Sequence, residues 1–140
     1  MLFTWDINLP ERTPFADPIE QDLHLAHGII TWVSVLFPPG CQRLAHCTIH
    51  HYAKQIVPSV EGMDLAGDTF PIEWNDYYEM YAEPYLLKFT GWNEDDTYPH
   101  KVTVRIAILP RKAILALAIV DAIKSLFGML SPRRIFTGGG

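Results

Sequence analysis

Three histidines crowd one short stretch, His46, His50 and His51, and the spacing raises a metal site. Zinc takes imidazole nitrogens at about 2 Å, so its ligands must converge. Residues 43–57 read as extended, either one strand bent near Tyr52 or two strands. On such a chain, rising about 3.3 Å per residue, His46 and His50 lie roughly 13 Å apart. His50 and His51 point to opposite faces. A site would need His24, His27 or His100 from neighbouring strands. The expectation is hydrogen-bonded or exposed histidines and no metal.

Cys47 stands between His46 and His51, which raises nucleophilic catalysis. Adjacent residues on a strand face opposite ways, so His46 cannot serve as its base, and His51 is two pleats further on. The chain has no Gly-x-Ser-x-Gly elbow and no phosphate-cradling glycine loop. No catalytic residue and no cofactor are expected, and the chain does not read as an enzyme. The other cysteine, Cys41, would sit roughly 20 Å from Cys47 along an extended segment. A disulfide needs less than about 7 Å between Cα atoms. Two free thiols are expected, which suits a reducing compartment.

The turn Asn93-Glu94-Asp95-Asp96 offers hard oxygen ligands of the kind calcium takes. It lacks the glycine and the regular spacing of an EF-hand loop, and a solvated hairpin turn is the simpler expectation. The aromatic residues Trp5, Trp32, Trp74, Tyr77, Tyr78, Tyr81, Tyr85 and Trp92 could include a platform for stacking a sugar. Between Trp74 and Tyr85 the rings alternate with Asp76, Glu79 and Glu83, so some should face solvent or a partner. Tyr and Trp are enriched at interfaces. Trp74, Tyr77, Tyr78 and Tyr81 are accordingly expected at a subunit contact.

The elements that must position these residues are mostly strands. Phe3, Trp5, Ile7 and Leu9 alternate with polar residues, a period of two that ends at Pro10. Pro10, Pro14 and Pro18 make residues 10–18 an extended connector. Leu23 and Leu25 mark a second strand, His27-Gly28 a turn, and 29–37 a third strand apolar enough to be buried on both faces. Residues 58–68 read as a loop. The segment 69–74 is a short strand, with Pro71 pointing to a sheet edge. Asn75-Asp76 begins a turn, and 77–81 continue extended. Leu86 to Trp92 is a strand, and His100 to Ile108 shows the clearest alternation in the chain. Seven or eight strands with turns between them predict an antiparallel β-sandwich or jelly roll over residues 1–110. No βαβ alternation appears.

Residues 111–130 change character. Ala113 to Val120 is a continuous apolar run, and Asp121, Lys124, Ser125 and Gly128 then share one face at about 100° per residue. The pattern predicts one C-terminal helix, with a flexible tail over 131–140. At about 28 Å the helix nearly matches a hydrocarbon core of about 30 Å, but Asp121 and Lys124 near its centre weigh against a membrane. A sheet could cover only one stripe of it. Packing between subunits through Ile114, Leu115, Leu117 and Ile119 satisfies the rest.

The totals agree with a packed domain. Of 140 residues, 49% are hydrophobic, which excludes disorder, and only 19% are charged. A formal charge of −5 argues against a nucleic-acid backbone as partner. The N-terminus has neither a basic region nor a continuous apolar run, so no secretory leader is expected.

The run Phe37-Pro38-Pro39-Gly40-Cys41, with Trp92-Asn93-Glu94-Asp95-Asp96-Thr97-Tyr98 and Val104-Arg105-Ile106, resembles small β-sandwich proteins of viral and metagenomic origin. The resemblance spans most of residues 2–110 and carries no functional residue. It implies a virion-associated structural role, for which jelly rolls are a common building block. The expected function is that of a self-associating structural subunit, in a virion if viral and otherwise in the cytoplasm. The alternative is a carbohydrate- or ligand-binding module.

Overall fold

The structure, a computed structural model, describes residues 1–129. The expected tail over 131–140, and Leu130 at the end of the expected helix, lie outside the described residues. The elements are β1 (Leu2–Leu9), β2 (Ile19–His24), β3 (Gly28–Leu36), β4 (Ala45–His51), β5 (Lys54–Val57), β6 (Leu65–Ala66), β7 (Pro71–Met80), β8 (Leu86–Asn93), β9 (His100–Pro110) and α1 (Arg111–Met129).

One sheet has the order β1-β9-β3-β7 and the other β2-β8-β4-β5, with the two-residue β6 beside β4. Every ladder is antiparallel. Leaving β6 aside, first pairs with last (β1·β9), second with second-last (β2·β8), then β3·β7 and β4·β5. That nesting is a single long hairpin rolled into two facing sheets, the jelly-roll order. The chain is an antiparallel β-sandwich with one C-terminal helix.

The alternation read from the sequence supplies the inner faces. Ile7 and Leu9, Val33 and Val35, Cys47 and Ile49, Leu87 and Phe89, and Val102 to Ile108 at every second position form one buried cluster. Gly91 interrupts β8 because Leu9 crosses beneath it. A Cβ there would lie 2.8 Å from Leu9 Cδ2 and 2.7 Å from the Phe89 ring. Gly28, expected in a turn, instead opens β3, where a Cβ would meet the Leu109 carbonyl at 2.3 Å.

Of the two forms open to residues 43–57, the chain takes two strands, joined by Tyr52-Ala53 with Tyr52 at φ 53°. Two local expectations are corrected. The loop expected over 58–68 carries the short β6, because Leu65 and Ala66 pair with Cys47 and His46 of β4. Asn75-Asp76 is not a turn, because β7 runs through it as an edge strand paired only with β3. Ile30 faces Tyr78 while Trp32 faces Asn75, so Thr31 opposes both Asp76 and Tyr77 in a β-bulge. Asp76 does bond locally as turn aspartates do. Its Oδ1 accepts from the Tyr77 N–H at 2.7 Å and its Oδ2 from Trp74 Nε1 at 3.0 Å. The ladder to β3 holds the backbone extended nonetheless.

Candidate functional site

The acidic turn after β8 is built from the inside. Asn93 is buried at the end of its strand. Its Nδ2 donates to the carbonyls of Leu9 (3.1 Å) and Tyr98 (3.0 Å), and its Oδ1 accepts from the Asp95 N–H at 2.9 Å. Asp95 Oδ1 accepts from the N–H groups of Thr97 and Tyr98, and its Oδ2 from His100 Nε2 at 2.8 Å. The Thr97 N–H first, then His100, holds the Asp95 carboxyl below its usual range. Glu94 leans instead towards His46, and Asp96 accepts from the Thr97 hydroxyl. The turn is solvated at Glu94, Asp96, Thr97 and Tyr98, as expected, but Asn93 and Asp95 form a buried clamp beneath it, and the acidic oxygens take separate partners.

The histidines separate as the strand geometry requires. His46 lies on the outer face of β4, with Nδ1 donating to Asp64 at 2.8 Å and its ring stacked on Trp92 at 5.4 Å. His51 Nδ1 lies 2.6 Å from the Tyr78 hydroxyl, across the gap between the sheets. His100 belongs to the Asp95 clamp. Burial, then the nearby Lys54 charge, lowers the His51 pKa. Among the described residues no group of three or more His, Cys, Asp or Glu side chains converges as a metal site would need.

Cys41 and Cys47 are both free and fully buried. Burial first, then Asp68 and Asp95, raises the Cys41 thiol to about 11. Burial pushes Cys47 higher still. A thiol so placed is protonated at neutral pH and packs as a small hydrophobe, not as a nucleophile.

Two surface features remain. The first is a groove on the outer face of the second sheet, lined by Phe15, Thr48, His50, Glu61, Asp64 and Trp92. Phe15, from the proline-rich connector, stands 72% exposed and meets the edge of Trp92 at 4.8 Å between ring centroids. The one sequence signal for Phe15 is that an aromatic residue stands in a segment with no alternation to bury it.

The second is the region nominated for subunit contact. On β7, Trp74 and Tyr78 turn inward and pack against the core, while Tyr77 and Tyr81 are exposed. The helix α1 follows β9 without a linker, and its main contacts are with β9 and β3. No α1 residue belongs to the buried cluster. Ile114 is half-buried, whereas Leu115, Leu117, Ile119, Val120, Ile123, Leu126 and Phe127 are exposed. Tyr81, stacked on His27 at 5.2 Å, shares a shallow pocket with Arg111, Ile114 and Leu115. Tyr81, just past the end of β7, and the first turns of α1 therefore meet at one shallow pocket.

Comparison of the chain with protein-family models, curated proteins and solved structures finds no match. Among the described residues, no helix is long and apolar enough to cross a membrane.

Proposed function

We propose that this protein is a structural subunit that self-associates, with α1 of one copy packed against α1 of others and the Tyr77–Tyr81 edge beside it. The observation that carries this reading is the exposure of α1. A helix apolar around most of its circumference is ordinarily buried among neighbours. Each large side chain left in water forgoes roughly 1.5 to 3 kcal/mol. The seven exposed ones on α1 together rival the ~5 to 15 kcal/mol that holds a domain folded. A second copy supplies an identical apolar helix, and Asp121 of one α1 can pair with Lys124 of another. The jelly-roll order supports placing such a subunit in a viral particle, since capsid subunits are often built this way.

Solution mass tests the proposal. Truncation after Pro110 removes no residue of the core, so the sandwich should stay folded and fall to a monomer. Leu117→Asp should act the same way by placing a charge in the contact. If both variants keep the parent's mass, α1 does not drive assembly.

A second reading rests on Phe15. An exposed ring beside hydroxyl, imidazole and carboxylate side chains suits a sugar, whose face stacks on aromatic rings and whose hydroxyls take polar partners. Phe15→Ala should abolish glycan binding if this groove is used. A monomeric parent that binds glycans would favour this reading over assembly.

A further inference from the structure

At the β4–β5 end of the sandwich, a cavity of about 260 Å³ lies between the sheets. Its floor is aliphatic: Ile30, Val33, Ile49, Val57, Leu87 and Ile106, all buried. Its rim is polar, with exposed Lys54, Ser59 and Asp76 beside half-buried Tyr78. Protein interiors leave few voids larger than a water molecule. A cavity of about 150 Å³ with aliphatic and aromatic walls stays dry and accepts benzene, so a larger aliphatic one has room for a small apolar body.

The rim says which end group that body carries. Asp76 has both carboxylate oxygens engaged, by Trp74 Nε1 and the Tyr77 N–H. Lys54 forms no ion pair among the described residues, and its Nζ sits 5.9 Å from the centre of the Tyr78 ring. Among the residues lining the opening Lys54 is the one cation, and the Asp76 carboxylate, engaged by Trp74 Nε1 and the Tyr77 N–H, does not pair with it, so the ammonium is left to take an anionic end group. We propose that the cavity binds a small amphipathic monocarboxylate, its aliphatic tail between the sheets and its carboxylate on the Lys54 ammonium. The site is separate from the α1 surface and does not depend on assembly.

The test uses the full chain with octanoate, octanol and octylamine as probes. Octanoate should saturate at one equivalent in calorimetry and raise Tm, with octanol weaker and octylamine weakest. Lys54→Gln, at an exposed position, should weaken octanoate about ten- to a hundredfold, the range of a hydrogen bond to a charged group, and leave octanol nearly unchanged. Methyl NMR should place the perturbation on Val33, Val57 and Leu87. Failure of every probe to bind overturns the proposal. So do equal affinities for octanoate and octanol, or methyl shifts confined to α1, whose apolar surface would take up any amphiphile.

Discussion

His100 Nε2 lies 2.8 Å from Oδ2 of Asp95, with both side chains almost wholly buried. A carboxylate can only accept, so the imidazole donates from Nε2. This pair, with Asn93, ties the end of β8 to the start of β9 and to the last carbonyl of β1. It joins both sheets at one end of the sandwich.

The clamp should be sensitive to acid. The Asp95 pKa is lowered in the folded chain, so its contribution is present above the unfolded value of about 3.9 and is lost as pH falls through the folded value. Asp68, bonded by Thr69 and by the N–H groups of Gly40 and Gln42, acts with the same sign. Circular-dichroism melts from pH 7 to pH 2 should show Tm falling below about pH 4. Asp95→Asn should melt lower at pH 7 and show a flatter acid limb. Parallel curves for parent and variant would remove Asp95 from this role.

Asn93→Ala should cost about 3 kcal/mol, because it strips the partner from two carbonyls and one N–H at a buried point. Urea unfolding measures it. A loss under about 0.5 kcal/mol, the range of surface substitutions, would mean that the turn holds its shape without the side chain.

Gly91→Ala should also destabilise, by about 1 to 3 kcal/mol, since a new methyl group overlaps Leu9 and Phe89. The same unfolding experiment reads it. Neutral behaviour would show that the Leu9 side chain can move aside at no cost.

Both thiols should resist a thiol reagent at pH 8 in the native protein and both should react in denaturant without reductant. Their raised pKa values leave little thiolate, and burial bars access. Rapid native labelling of Cys47 would contradict the packing of β4.

His51 should titrate below its ordinary value of about 6.5. The folded chain favours the neutral ring, so this contribution is present above about pH 6.5 and is lost as pH falls towards the folded value. An NMR titration gives the midpoint directly. His51→Gln should flatten the dependence of Tm on pH between 7.5 and about 5.5. A midpoint at or above 6.5 would place the ring in water.

Local pattern alone determined much of this protein. A period of two identified β1, β2 and β9 and residues on their inner faces. Pro71 marked β7 as an edge, and the apolar run from Ala113 marked α1. These features repeat over short stretches, where sterics and the choice between core and water act residue by residue. Asn75-Asp76 misled because its side-chain bonds are those of a turn, while the pairing with β3 decides the backbone. What the tertiary structure alone decided is which faces meet. Nothing near Asp95 in sequence shows that Asn93 reaches Leu9 on another strand, that Phe15 covers Trp92, or that Lys54 stands at the mouth of a cavity floored by Val33 and Ile106. Those relations follow from the register of distant strands, and closing long loops depends only weakly on local residue type.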